Sequence, residues 1–566
     1  MMKHWKGAAA ILGAALLVAG VAPRAHASDC GDVNNNTVIG SGDPGDCILL
    51  LNTQGGAPNP GHCGGQGTLQ CGDLRQDGSI LSSDTTACLQ NAAGIETLFP
   101  LCTGEGTVRA CPRTISGTIS TNQVWDASCD TFIDGTVIVQ SGTVVTIRPG
   151  AVVKGIKDTN DPAALIFARG SKINAAGTAA QPIVMTSNQA PGARGVGDWG
   201  GLTLLGAAPV NFPGGQGQAE GLPPGTALFG GNEPNDSSGV VTFTRIEFSG
   251  VEFSADNELN VFTMNGIGAG TTINHVQANV GFDDCNEWFG GTVNAKYMIS
   301  SGCRDDLFDW QIGYTGAVQH GLGYQSAATS SGDGREGFES DNSEFGADDL
   351  PRSNPRFCNV TVIGCQQQGC NSTGNGARLR RGTAGKIHNT IFMDWPNGGV
   401  RLDGTCDKAL ATPNGVCSAL KTTEPILRVA DTLFYNVGAD NVGGDGIGDV
   451  QAVGSCSTSC GPTDVYDAWV GGAGVLPARN TNGTNPLPGV DGVYPTDATL
   501  VAESATFFPA NGGIADDAPD CSLLDPFFDT ATYIGAFDPN GSAATENDAN
   551  NWLRPTSSGW VSFAIN

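Results

Sequence analysis

The feature that most constrains this chain is a motif that returns after a fixed interval. Asp283-Asp284-Cys285-Asn286-Glu287-Trp288 recurs as Asp305-Asp306-Leu307-Phe308-Asp309-Trp310, so an acidic pair, a further acid and a Trp each come back 22 residues later. A period in the low twenties is one turn of a parallel β-solenoid, in which equivalent residues stack on neighbouring coils. Arg378-Leu379 returns as Arg401-Leu402 after 23 residues, a second advance by one coil.

The surrounding sequence fits such a coil. Thr136 to Gln140, Val144 to Ile147, Val152 to Lys154, Ala164 to Phe167 and Pro182 to Met185 are brief β-rich runs separated by Ser-Gly and Pro-Gly turns. Sandwiches favour longer alternating strands, and long helices need Glu, Lys, Leu and Ala runs that are scarce here. Only 15% of residues are charged, while Gly numbers 83, as turn-rich short strands require. The predicted class is all-β: a right-handed parallel β-helix over 114–566, with loop insertions and a C-terminal cap, preceded by a small α-helical calcium-loop module over 28–103.

The first residues look different. A basic stretch from Met1 to Lys6, an apolar run from Gly7 to Ala22 and Ala25-His26-Ala27 have the layout of a signal peptide, 1–27, whose apolar core is short for a membrane span. The expectation is an exported chain starting near Ser28, secreted or held at the cell surface, with no transmembrane anchor after cleavage. Cys30 lacks the lead sequence of a lipid anchor. All 18 cysteines follow the cut, and an even number in an oxidising compartment allows up to nine disulfides. Zinc is the competing reading, but Cys365-x4-Cys370 and Cys456-x3-Cys460 lack a second ligand pair at finger spacing.

Two segments after the signal share one pattern. Asp32 to Asp43 and Asp73 to Asp84 place oxygen-bearing residues at loop positions 1, 5 and 12 and an Ile at position 8, so that a tight loop can wrap hard oxygens around Ca2+. At these residues the chain resembles dockerin-type EF-hand repeats. That resemblance implies that Asp32, Asn34, Asn36 and Asp43 bind one ion with the Val38 carbonyl. Asp73, Asp77 and Asp84 take the other with the Ser79 carbonyl, and Arg75, where Asn or Asp is usual, weakens this second site. A cohesin-like partner is the corresponding protein ligand, although cysteines 30, 47, 63, 71 and 88 depart from the family.

In the body, Gly197-Asp198-Trp199-Gly200-Gly201-Leu202 is similar to the Trp-Gly-Gly turn of pectin-lyase-like β-helices. With Asn286 to Val293, Leu379 to Gly385 and Tyr533-Ile534-Gly535-Ala536-Phe537, the chain resembles exported bacterial β-helix proteins of unassigned activity. The fold hosts lyases, hydrolases, adhesins and spacers alike, so the resemblance implies architecture before chemistry.

One constellation carries chemical content: Asp283, Asp284, Glu287, Asp305, Asp306 and Asp309, continued by Glu336, Glu339 and Asp341 after an expanded coil. Like charges about 4.8 Å apart repel, so the ladder needs cations, arginines or protons. Two readings stand. In one, the seam is a calcium- or arginine-stapled device in a noncatalytic structural, adhesion or carbohydrate-binding protein. In the other, by comparison with β-helix polysaccharide lyases, it is a calcium-dependent site on acidic polysaccharide, with Asp305, Asp306 and Arg380 as catalytic candidates. A hydrolase is disfavoured, because Gln319-His320-Gly321 departs from the Gly-His-Gly of polygalacturonases and lies only 14 residues after Asp306. The net charge of −28 argues against nucleic acid and anionic membranes as partners, both of which require a cationic face.

Overall fold

The chain divides into two units, Met1–Arg109 and Ala110–Asn566. A computed structural model describes, in the second, residues 112–437 apart from short loop stretches and 404–426, then 450–453 and parts of 507–564. The calcium loops expected at residues 32–43 and 73–84 lie outside the described residues.

Short runs of β-branched residues bounded by Gly turns have too little length to form stable hairpins alone, and here they stack coil upon coil instead. Thr131–Val139 shows the alternation that drives this, with Ile133, Val137 and Val139 buried and Asp134 exposed between them. Twenty-four described strands belong to one hydrogen-bonded system. Its strands pair in parallel, from Thr136↔Ala164 near the start to Arg401↔Gln451 near the end. The result is a parallel β-helix, an arrangement consistent with the right-handed winding that parallel crossovers adopt.

Two stacks of strands carry the groups of chemical interest. One runs through Leu202–Leu205, Phe262–Asn265, Asn286–Phe289, Phe308–Gln311, Phe338–Ser340, Asn375–Arg380 and Gly398–Asp403. The other runs through Gly239–Ser249, Thr272–Gly281, Ala295–Ser301, Ala317–Tyr324, Arg356–Ile363 and Lys386–Met393. Each strand of the second stack bends at one equivalent residue. Phe243, His275, Tyr297, His320, Asn359 and Asn389 all have φ between 44° and 61°, a left-handed conformation that side chains other than Asn rarely adopt. Repetition of this corner on successive coils turns the chain at the same place each time.

The interior is a column of aromatic rings. Trp288 stacks on Tyr314 with centroids 5.4 Å apart, Phe308 on Phe338 at 5.5 Å and Trp310 on Phe357 at 5.1 Å. Trp288 and Trp310 are register partners on consecutive coils, as the 22-residue repeat requires. They face inward, however, while Glu287 and Asp309 on the same strands face outward, because successive side chains of a strand point to opposite sides. The repeat therefore contains a core element and a surface element interleaved.

The Trp-Gly-Gly turn has a steric cause. Trp199 is fully buried, and at Gly201, with φ +80°, a Cβ would lie 2.5 Å from the carbonyl oxygens of both Asn260 and Val261 on the next coil. Disulfides join Cys285 to Cys303, Cys358 to Cys521 and Cys365 to Cys370, so the Cys365 pair is a disulfide and not part of a zinc site. No helix among the described residues is long and apolar enough to cross a membrane.

Trp310→Ala removes a ring that both fills the interior and donates to Thr383 Oγ1 at 3.0 Å. The expected loss is about 3–5 kcal/mol of stability, read from denaturant unfolding beside the unaltered protein.

Candidate functional site: an acidic and arginine seam

Just before each strand of the first stack the chain turns a corner, and the residue there caps the next coil. Asn260 Oδ1 accepts the Asp284 backbone N–H at 3.1 Å, and Asp284 Oδ1 accepts that of Asp306 at 2.8 Å. Asp306 Oδ1 accepts the N–H of Glu336, and Glu336 Oε2 accepts that of Asn375, whose amide also donates to Glu336 Oε1 at 3.3 Å. Five consecutive coils are thus linked by one repeated bond from a backbone N–H to a side-chain oxygen. Asp284, Asp306 and Glu336 are all buried.

On the strands themselves, Thr263, Glu287, Asp309, Glu339, Arg378 and Arg401 form one in-register outward column. Charge changes sign along it. Glu339 pairs with Arg378 at 3.2 Å and with Arg380. Asp341 accepts from Arg380 Nε at 2.7 Å and from Arg381 at 2.8 Å. The two carboxylates hold the Arg380 guanidinium protonated, its pKa raised above the ordinary value despite burial. Glu287, further up, is held by amides, accepting from Asn260 Nδ2 and from Gln311 Nε2 at 2.8 Å.

Electrostatics at the acidic end favour protons or a cation. Burial is the leading cause that pushes Asp284, Glu287, Asp306 and Asp309 well above the ordinary carboxylate range, and neighbouring carboxylates add to it. Burial pushes Glu336 and Glu339 up to about 7, against the opposing effects of Asn375 on the first and of Arg380 and Arg378 on the second. Asp284, Glu287 and Asp309 bring carboxylate oxygens within 4.8 Å of one another, all three buried, and Asp283, Asp284 and Asp305 form a second, more exposed triple. Asp309 Oδ1 is buried with no hydrogen-bond partner, and so is Thr263 Oγ1 two coils above it in the same column.

Of the catalytic candidates, Asp305 is half-buried at the outer edge, Asp306 is committed to the Glu336 N–H, and Arg380 is committed to Glu339 and Asp341. His320 is remote from this column in the fold: it lies on the left-handed corner of the second stack, against Tyr297. Sequence reasoning missed Asn260 and Asn375, the two ends of the capping ladder. They carry no acid and so break the motif, and their only signal is position, 24 residues before Asp284 and 39 after Glu336.

A model of a family described as a pectate-lyase-like β-helix domain matches residues 117–459. The chain belongs to that family. The match covers the strands that carry every residue of the seam. Among solved structures, this pectate-lyase-like chain is similar to the A-module of the mannuronan C-5 epimerase AlgE4 of Azotobacter vinelandii. The identity is 10%, over 61% of this chain and 87% of that one, with a TM-score of 0.16. No curated protein matches.

Asp306→Asn keeps an oxygen for the Glu336 N–H and removes a carboxyl whose ionisation burial opposes, so stability is expected to hold or rise. Asp306→Ala leaves that N–H without an acceptor and is expected to cost about 1–3 kcal/mol. Differential scanning calorimetry of the two variants separates capping from charge. A second expectation concerns pH. Glu336 titrates higher folded than unfolded, so its contribution is full below the ordinary carboxylate range and is lost as pH rises through about 7. In chelator, the melting temperature of Glu336→Gln should therefore gain on the unaltered protein between about pH 4.5 and 7.

Proposed function

We propose that this is an exported β-helix protein of noncatalytic role, whose seam is stapled by calcium at one end and by arginines at the other. Its long flat faces are left to bind carbohydrate or another surface protein. The observation that carries this reading is the unpartnered, buried Asp309 Oδ1 between Asp284 and Glu287. Three buried carboxylates offer hard oxygens of the kind Ca2+ takes, and among the described residues no arginine pairs with Asp284 or Glu287. The residues present fit the ion. Asp284, Glu287 and Asp309 would hold it, and it would supply positive charge that lets all three ionise without repulsion.

The capping ladder argues for a structural role. Asp284, Asp306 and Glu336 each commit an oxygen to the backbone of the next coil. Removing a proton from a substrate requires a group that can accept one, and Arg380 between two carboxylates holds its proton firmly. The second reading, a calcium-dependent lyase on acidic polysaccharide, is favoured by Glu339, which is only half-buried and titrates near neutrality.

At the N-terminus, the loops at Asp32–Asp43 and Asp73–Asp84 serve in this reading as calcium sites of a dockerin-like module, with export as the setting for its disulfides. Isothermal calorimetry on the full chain should show calcium heat that Asp32→Ala reduces.

For the seam, calcium at about 100 times its dissociation constant should add about 2.7 kcal/mol of stability, and chelator should remove it. Asp309→Asn should abolish the part of the shift that belongs to the seam while Asp32→Ala leaves it intact. With pectate or alginate as substrate, no product absorbing in the near ultraviolet should form. Calcium-dependent release of such unsaturated products, lost in a folded Asp306→Asn or Arg380→Ala variant, would replace the structural reading with the lyase.

A further inference from the structure

The C-terminal residues lie along the side of the coil, across the second stack of strands. Near the middle of this strap, Cys521 is bonded to Cys358, Asn389 donates to the Pro519 carbonyl at 2.8 Å, and Asn359 to that of Tyr533 at 2.8 Å. Gln319 and the Asp529 backbone exchange bonds of 3.0 and 2.8 Å. A distal limb, described at Trp552, Leu553 and 560–564, continues onto earlier coils. There Gln277 donates to the Ser562 carbonyl at 2.6 Å and accepts the Ser562 N–H at 2.9 Å, while Asn279 reaches the Ala564 carbonyl at 3.0 Å. Arg245, paired with Glu247, donates to the Trp560 carbonyl at 3.2 Å.

Beneath the limb is the left-handed corner column, whose rings stack in order. Phe243 lies 4.2 Å from His275, His275 4.3 Å from Tyr297, and Tyr297 4.8 Å from His320. Trp560 stands edge-on to His275 at 5.6 Å, and Trp552 covers Tyr297 at 5.5 Å. The His275 imidazole is thus enclosed between two rings and under two buried tryptophans, while His320, one coil beyond Tyr297, lies beside Tyr533 at 6.3 Å.

We infer that the limb carrying Trp552, Trp560 and Ser562 is an acid-released strap, which lifts from the corner column when His275 takes up a proton while the Cys358–Cys521 bond keeps the middle of the strap, with Tyr533 over His320, in place. The surroundings of the two rings offer an imidazolium little compensation. His275 Nδ1 meets the Asn274 side-chain oxygen, and its charged neighbour is His320, of like sign once protonated. His320 faces the Tyr533 hydroxyl at 3.4 Å, together with Asp529 and Lys296. Those last two pair with each other at 2.7 Å, and Asp529 is largely in solvent, which screens it.

Burial lowers both histidines from 6.5 to about 3. A histidine depressed in the covered state favours the uncovered one increasingly as pH falls below its ordinary value. By pH 5 His275 should raise the open-to-closed ratio on the order of 30-fold. The middle of the strap has its disulfide.

Hydroxyl-radical footprinting of the full chain, read by mass spectrometry at pH 8 and pH 5, tests this. Oxidation of Trp552 and Trp560 should rise strongly at pH 5 while Trp125, fully buried in the coil, stays protected. The rise should be absent in His275→Gln, or in His275→Phe, which keeps a ring between Phe243 and Tyr297, if the first variant fails to fold at pH 8. Equal protection at both pH values, an undiminished rise in the variants, or exposure of Trp125 together with the limb would overturn the proposal.

Discussion

Parallel pairing in register brings every side chain to within one strand spacing, about 4.8 Å, of its counterpart on the next coil. Whatever one coil places at a position, its neighbour must accommodate at van der Waals distance. Inside, this repetition yields the aromatic column through Trp288, Phe308, Trp310 and Phe338, where like beside like gains contact. Outside, it yields columns of carboxylates, where like beside like repels. The seam records three different solutions to that repulsion. Backbone N–H groups are donated to Asp284, Asp306 and Glu336, arginines are set against Glu339 and Asp341, and carboxyls deep in the fold are driven toward protonation.

How much of this was legible in the sequence depends on the same geometry. A motif that recurs after one coil announces both the fold and its own register, so Glu287↔Asp309 and Arg378↔Arg401 could be paired from numbering alone. Asp309↔Glu339 was legible only through an insertion of eight residues, because the loop between them lengthens while the strand register is kept. What adjacency in sequence could not reveal was the division of roles within a motif. Trp288 follows Glu287 directly, yet one side chain enters the core and the other leaves it. The partners that end a ladder are also silent, since Asn260 and Asn375 do by amide chemistry what the acids between them do by charge.

The strap and the seam occupy different stacks of strands and answer pH in opposite directions. Raised carboxyls at the seam favour the folded coil as protons are added, whereas the depressed His275 of the corner column disfavours coverage by the strap. Acid thus tightens one side of the molecule while loosening what lies on another. The cause is common: groups that water would solvate are enclosed, and each reverts toward its neutral form, acid by gaining a proton and base by refusing one.

A chain wound in coils comes apart from its ends, one turn after another, because each turn touches only its neighbours. The bond between Cys285 and Cys303 closes a loop with a sequence separation of 18 around one of these turns. Under tension along the polypeptide, load passes through the sulfurs and bypasses the residues between them. That loop withholds about 60 Å of contour length from any extension. It also holds Glu287 and Trp288 inside a ring that unwinding from either end cannot pull straight.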